Sequence, residues 1–468
     1  MPSQHIPDLV RRNASANGQK LALVTSERQL SWAELADEME KAAAGLFKLV
    51  KSDEPQVIGL LMPNTWQFVV SYLAILELGH TALPIDVIYK PLEINAILDQ
   101  IKPVLLVTDE AGEARIDNWP NLVTFDGLPA GDDYSKVRLA ADKQLATIIF
   151  TSGTTGKPKA ATHTHSSHFW NIEVCSQAWG WTDEDTLLIS LRLSHWYGIC
   201  MGLSGAIYHS NTLYLLERFS AEETLKFLSS GKISLFTHTP IAYQKMLEQE
   251  GDYDLSHLRL AISGSAPLPP ANWAAFKERF GVEIIECYGS SETGRIASNR
   301  ADDKMPGSPG RPLPGVEIKL SNSNELLVRS PGLFPGYFNN PEATAEKMHD
   351  GFWSTGDIAE IKDGRIILKG RSQEMLRRQG YSVSPRDIEW ALKNNRRIIE
   401  CAAIGFSRDG QDDELVYFIS GNISDDSLDS YIKANLPSVW RPDRIIRVDN
   451  LPRTPMGKVS LAKLRQMI

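Results

Sequence analysis

The chain has 468 residues, 42% hydrophobic and 23% charged, the composition of an ordinary globular protein large enough for two or three domains. Its 49 basic and 58 acidic residues leave a net charge of -9, which excludes the basic footprint of a nucleic-acid partner. No apolar run reaches the ~20 residues of a membrane span, and Met1 to Asn17 lacks the apolar block of a secretory signal. The four cysteines, Cys175, Cys200, Cys287 and Cys401, lie far apart with no C-x-x-C pair, so a reducing cytoplasm is expected.

In chain order, Leu21 to Val24 and the residues around Leu30 read as short strands, and Ser31-Trp32-Ala33-Glu34 then has the form of a capping box. Leu35, Met39, Ala42 and Leu46 follow at helical spacing. Apolar runs recur at Gln56 to Leu61, Val104 to Val107, Ala146 to Phe150, Leu258 to Ile262 and Glu283 to Tyr288, with helical stretches such as Thr65 to Leu78 and Pro270 to Phe280 between them. This alternation predicts an α/β protein with helix-covered, largely parallel sheets, whose ligands gather where strands end. Polar, glycine-rich sequence follows three of the runs directly, at Thr151 to Lys159, Ser263 to Pro267 and Gly289 to Gly294. Beyond Gly370 a fresh helix is signalled by Ser384-Pro385-Arg386-Asp387, followed by strand-like Cys401 to Phe406 and Leu415 to Ile419 and a helical Leu428 to Leu436. A large N-terminal domain over 1–371 and a small α+β domain over 374–468 are therefore expected, with the joint near Gln373.

Thr151-Ser152-Gly153-Thr154-Thr155-Gly156-Lys157-Pro158-Lys159 supplies hydroxyls, two glycines and two ammonium groups immediately after a buried strand. Such a turn suits an anion, because glycines let backbone amides face phosphate oxygens while hydroxyls and lysines add donors and charge. It is not a Walker loop: only two residues separate Gly153 from Gly156, and Pro158 stands where a Ser or Thr would bind magnesium. Taken alone, a cluster of this kind is more often a solvated turn. His163, His165 and His168 have no acidic or cysteine companion that would make a metal set.

The nonapeptide resembles the phosphate loop of the superfamily uniting acyl-CoA synthetases, peptide-synthetase adenylation domains and firefly-type luciferases. Further segments match that family in order: His195-Trp196-Tyr197-Gly198, Gly264-Ser265-Ala266-Pro267-Leu268, Tyr288-Gly289-Ser290-Ser291-Glu292, Ser354-Thr355-Gly356-Asp357, Gly370-Arg371 with Gly380, and Pro452-Arg453-Thr454-Pro455-Met456-Gly457-Lys458. The resemblance covers nearly the whole chain. It implies ATP-dependent activation of a small carboxylic acid as an acyl-adenylate, followed by transfer to the thiol of coenzyme A, or alternatively to the phosphopantetheine of a carrier protein. Adenylation brings two anions together in line, so cationic clamps are needed.

What the resemblance implies for single residues is as follows. Thr151 to Lys157 and Ser291 hold the triphosphate, with Thr151 also close to the chemistry. Glu292 binds Mg2+, for which a carboxylate is a suitable hard ligand. Gly264, Ser265, Ala266, Tyr288 and Gly289 form an adenine slot. Asp357, after a small turn at Ser354 to Gly356, accepts from the ribose hydroxyls, and Arg371 reaches the ribose or phosphate. His195, Trp196, Tyr197 and Gly198 border the acyl pocket. Lys458 is the catalytic lysine on a small C-terminal domain that rotates about Gln373 between the two half-reactions, while Gly380 and Tyr381 face the incoming thiol. Three positions depart from the family pattern: Gln373 where Asp or Lys is usual, Ala160 for glycine, and Ser291 for threonine. A luciferase-type oxygenase and a nucleotide-binding protein without catalysis are the readings from other classes, and the pairing of Glu292 with Lys458 speaks against the second.

Overall fold

The computed structural model describes residues 5–116, 119–151, 158–379, 381–406, 413–453 and 459–468. Two sheets of the large N-terminal part carry the strand ends that matter. The first orders its strands Leu122–Thr124, Leu105–Thr108, Val57–Leu61, Thr81–Pro84, Leu145–Thr151 and Lys159–Thr164, parallel throughout except for the last pair. Unbroken apolar runs such as Thr147 to Phe150 are buried on both faces, as a helix-covered parallel sheet requires. Leu145–Thr151 and Lys159–Thr164 form an antiparallel hairpin, a return strand that the run of polar residues after Phe150 gave no sign of.

The second sheet has nine strands. Its parallel centre runs Ile284–Ser290, Leu260–Ser263, Leu235–His238, Thr186–Ile189, Thr212–Leu215 and Leu21–Val24, and antiparallel strands complete both edges, among them Gly294–Ser298 beside Ile284–Ser290. The helices Trp66–Glu77 and His165–Trp179 contribute to the same core as both sheets. The first is buried at every position from Phe68 to Glu77, which is how a helix apolar on all sides is accommodated. Local signals set the boundaries. Ser31 and Glu34 make the reciprocal capping box of helix Trp32–Leu49, and the Thr65 hydroxyl accepts the Phe68 amide at 3.2 Å.

A third, antiparallel sheet is built on Glu317–Leu320, Glu325–Arg329, Met348–His349, Phe352–Lys362 and Arg365–Arg371. Here the expectation of a turn at Ser354 to Gly356 is corrected, because these residues lie inside the strand Phe352–Lys362. Gly356 stands at φ +75°, a conformation only glycine adopts without strain, and the ladder shifts register just beyond it. The motif therefore kinks a strand rather than ending one.

From Leu376 onward, a hairpin of Leu376–Arg378 with Tyr381–Val383, helix Pro385–Lys393 and the sheet of Ile398–Phe406, Glu414–Gly421 and Arg444–Arg447 make a smaller unit. The strand Glu414–Gly421 alternates between two apolar clusters. Leu415, Tyr417 and Ile419 pack with Leu392 and Leu428 on one face, and Val416 and Phe418 with Leu451 and Leu464 on the other. Among the described residues none before Leu376 belongs to either cluster. Polar contacts join this unit to the third sheet, including Arg386 Nη1 donating to the Leu368 carbonyl at 2.9 Å and Ser384 Oγ donating to the Lys369 carbonyl. Among the described residues no helix is long and apolar enough to cross a membrane.

Candidate active site

The three glycine-rich segments sit at the ends of Leu145–Thr151, Leu260–Ser263 and Ile284–Ser290. Thr151 is the last described residue before the turn expected to bind an anion, and its hydroxyl donates to the Lys159 carbonyl at 3.3 Å. Ser152, Gly153, Thr154, Thr155, Gly156 and Lys157 lie outside the described residues, as do Gly380 and Lys458. Glu292 follows Ser290 in a turn that closes on itself. Ser290 Oγ accepts the amides of Glu292 and Thr293 at 3.2 Å each, and Thr293 Oγ1 accepts the Ser290 amide at 2.9 Å. Ser291 occupies this turn, half-buried beside Glu292.

A segment the sequence did not single out joins the two sheets here. Phe334 N donates to the Glu292 carbonyl at 2.9 Å, Phe338 N donates to the Ala160 carbonyl at 2.8 Å, and between them Tyr337 OH donates to Glu292 Oε1 at 3.0 Å. Lys159 Nζ stands 5.2 Å from the centre of the Tyr337 ring. Burial first and the Glu292 charge second push the Tyr337 hydroxyl upward, so it stays a neutral donor. The hairpin of Leu145–Thr151 with Lys159–Thr164 and the metal-ligand candidate are thereby held together through one tyrosine. Glu292 Oε2 accepts nothing among the described residues, so the carboxylate retains free lone pairs of the hard-oxygen type that magnesium takes.

On the far side of this turn, Tyr288 OH donates to Asp357 Oδ2, and Arg371 Nε pairs with Asp357 Oδ1 at 3.0 Å. Arg371 Nη1 also donates to the Thr355 carbonyl at 3.0 Å. Three residues that the sequence put in one site by resemblance thus meet through a single carboxylate. Gly264 is buried while Ser265 and Ala266 open outward at the strand end. A side chain at Gly264 would meet Cys287 Sγ at 2.9 Å and the Tyr197 ring at 3.1 Å, so its smallness serves packing against those two side chains. At Gly289 a Cβ would fall 1.9 Å from the Gly294 carbonyl oxygen, which rules out any side chain.

Comparison with known proteins bears on this arrangement. Residues 10–338 match the model of the AMP-binding enzyme family, and residues 387–458 match that of the AMP-binding enzyme C-terminal domain. The chain belongs to the AMP-binding enzyme family. Similar proteins include a 2-succinylbenzoate–CoA ligase of Listeria monocytogenes, 27% identical with 98% of each chain covered, and an oxalate–CoA ligase of Arabidopsis thaliana, also 27% identical with 98% of each covered. The anthranilate CoA ligase AuaEII in complex with anthranoyl-AMP superimposes with a TM-score of 0.92 at 26% identity, over 100% of this chain and 98% of that one. ATP-bound MatB from Rhodopseudomonas palustris shares the fold, with a TM-score of 0.90 at 24% identity and 99% of each chain covered. The chain is an adenylate-forming enzyme of the acyl- and aryl-CoA synthetase type, an acid–thiol ligase that uses ATP and CoA on a small carboxylic acid.

In this AMP-binding enzyme the residues expected at the acyl pocket acquire partners no motif pointed to. His195 Nε2 lies 3.0 Å from Asp86 Oδ2, an electrostatic contact rather than an aligned hydrogen bond, and Arg192 Nη1 pairs with Asp86 Oδ1 at 2.7 Å. Burial alone would raise the Asp86 carboxyl. The contacts with His195 and Arg192 and the Ile88 amide outweigh it and hold the group below its ordinary value. Gly198 is required where it stands because a Cβ there would fall 2.2 Å from the Arg192 carbonyl oxygen. Trp196 stacks on His163 with ring centres 3.5 Å apart and meets His168 edge-on at 4.7 Å. Burial lowers both histidines far enough to keep them neutral, and His168 bonds Thr147 and Ser204. Tyr197 bonds Thr237 through its hydroxyl and carries the Arg295 guanidinium over its ring at 4.0 Å. A desolvated cation over an aromatic ring gains ~2 kcal/mol, against a desolvation penalty of several kcal/mol per buried ion, on the order of twice that gain. The ring does not by itself account for the buried charge.

At the junction Gln373 is exposed one residue beyond Ser372, whose amide donates to the Gly356 carbonyl at 2.8 Å. Tyr381 is 66% exposed. Across the junction Glu286, buried and accepting the Gly307 amide at 2.8 Å, senses the charge of Arg386. Burial raises the Glu286 carboxyl to about 8 from its ordinary 4.5, against the opposing pull of the Gly307 amide and Arg386. The folded protein then binds an extra proton between those values. The associated stability is complete below pH 4.5 and is lost as pH rises through 8. Glu389, lifted to about 7, acts in the same direction. Thermal melts from pH 5 to pH 9 should therefore show a falling midpoint for the wild type and a shallower fall for Glu286→Gln. Identical slopes would refute the assignment.

Proposed function

We propose that the cleft between the phosphate hairpin and the Glu292 turn performs both half-reactions on one acid. The carboxylate of the acid attacks the α-phosphorus of ATP, the bond to pyrophosphate breaks, and the acyl-adenylate forms; the thiolate of CoA then attacks the acyl carbon and AMP leaves. The observation that supports this reading is the Tyr337 bridge, which joins the strand leaving the glycine-rich segment, at Lys159 and Ala160, to the Glu292 carboxylate. Thr151 with the turn that follows grips the triphosphate, and Lys458 stabilises charge on the reacting oxygens. Gly264 to Ala266, Tyr288 and Gly289 receive the adenine, and Asp357 with Arg371 the ribose. Glu292 fits a magnesium ion, which when bound would neutralise phosphate charge. His195, Trp196, Tyr197 and Gly198 wall the acid.

The separate apolar clusters of the C-terminal unit support a division into 1–371 and 374–468 that pivots at Gln373. The exposure of Tyr381 supports thiol entry beside Gly380. The named relatives favour CoA over a carrier protein as acceptor. Four free, buried cysteines support a reducing, cytoplasmic setting. The test is pyrophosphate release from ATP in the presence of a carboxylic-acid panel without CoA, then AMP release when CoA is added. Pyrophosphate that appears only with CoA present, or with no acid on the panel, would sink the proposal.

A further inference from the structure

We infer that the acid this enzyme activates carries a second carboxylate, and that Arg295 binds it. The inference rests on the adenylation reading and adds the chemical class of the substrate.

Arg295 lies in strand Gly294–Ser298, three residues after Glu292, and is 5% exposed. Its guanidinium is placed over the Tyr197 ring, and Nη1 donates to Cys287 Sγ at 3.5 Å. Among the described residues no carboxylate pairs with it, and the remaining guanidinium donors have no protein acceptor. The ionisable groups around it are Cys287, Tyr197, Cys175 and Cys200, and burial keeps each of these protonated and neutral at physiological pH. A guanidinium cannot escape by losing its proton.

The other buried ions among the described residues differ. Glu77 meets Arg11, Asp86 meets Arg192, Asp185 meets Arg259 and Arg378 meets Asp443. Glu286 is raised to about 8 and so can go neutral. Arg295 alone among them holds a full charge without an anion, and buried charges are paired in folded proteins.

The position says which anion is missing. Tyr197 belongs to the wall expected to border the acid, and Cys287 packs against Gly264 and precedes Tyr288 at the adenine slot. The guanidinium thus lies against the tyrosine of that wall and the cysteine before the adenine slot, on the same hairpin whose turn holds Glu292. Its mount is rigid, because the Arg295 amide donates to Asn171 Oδ1 at 2.5 Å and Asn171 Nδ2 donates to the Ser167 carbonyl at 2.8 Å. A planar fork of donors held in place matches a carboxylate through two parallel hydrogen bonds. One carboxylate of the substrate would lie at the reacting phosphate and the other on Arg295.

The experiment compares matched acids in the pyrophosphate-release assay: succinate with butyrate, glutarate with valerate, adipate with hexanoate, and terephthalate with benzoate. The wild type should prefer the diacid of at least one pair by about 100-fold or more in kcat/KM, because a site built around a polar group rejects analogues that lack it. Arg295→Met should abolish that preference through a raised KM for the diacid. Its thermal midpoint without substrate should equal or exceed that of the wild type, since an unpaired buried charge has been removed. Arg295→Lys, which keeps the charge and loses the fork, should retain a reduced preference and serves if the methionine variant does not fold. Equal use of mono- and diacids by the wild type, monoacids alone, or an unchanged preference in either variant would overturn the inference while leaving adenylation standing. No turnover with any acid would overturn both.

Discussion

Lys458→Ala is expected to reduce acid-dependent pyrophosphate release by about 100- to 1000-fold, the usual cost of deleting one preorganised donor aimed at developing charge. Lys458 lies outside the described residues, so the prediction rests on its place in Pro455-Met456-Gly457-Lys458 and on the architecture around it. The residues flanking the segment, Arg453 and Val459, form a bridge that returns the chain to the small unit, whose apolar clusters are its own. On the proposed pivot at Gln373, a lysine on that unit would act on the first half-reaction only while the unit is closed over the cleft. The sharper measurement is therefore the second half-reaction: chemically prepared acyl-adenylate mixed with CoA should release AMP at close to the wild-type rate in Lys458→Ala. Gly380→Leu should show the opposite pattern, with pyrophosphate release spared and thioester formation slowed. Equal loss of both steps in either variant would refute the two-state assignment.

Glu292→Gln should lower pyrophosphate release by at least about 100-fold. Removing outer partners of a metal ligand costs roughly 10- to 100-fold, and here the proposed direct ligand itself is replaced by a neutral amide. Its geometry should survive, because Ser290 and Thr293 close the turn through backbone amides and hydroxyls that do not involve the Glu292 side chain. Tyr337→Phe provides the internal comparison. It removes only the hydrogen bond to Glu292 Oε1 and should fall in the lower range, roughly 10- to 100-fold. Both variants should need more magnesium for half-maximal rate. A Glu292→Gln enzyme with wild-type rate and an unshifted magnesium requirement would remove the carboxylate from the site.

Most elements were readable because their signals are local. Ser31 with Glu34, Thr65, and Ser384 with Pro385 each announce a helix within four residues, and each caps the helix it announces. The buried strands were legible as apolar runs for the same reason, since a strand covered on both faces has no polar side to show. The reading failed where an element is defined by its partner. The strand Lys159–Thr164 exists because it pairs with Leu145–Thr151. Ser354 to Gly356 has turn-like composition, yet pairing with Glu325–Arg329 keeps it in a strand and leaves Gly356 to absorb the kink.

The sequence by itself determined the family, the chemistry and the order of the motifs, because the segments Thr151 to Lys159, Tyr288 to Glu292 and Pro452 to Lys458 are each written in consecutive residues. The tertiary structure alone decided the company those residues keep. Asp86 meets Arg192 across 106 positions, and Tyr337 reaches back 45 to Glu292. Arg295, an unremarkable residue in the string, proves to be a buried cation with no anion beside it among the described residues. Whether a charge is paired or solvated depends on what the fold brings within a few ångströms of it, and that distance has no counterpart along the chain.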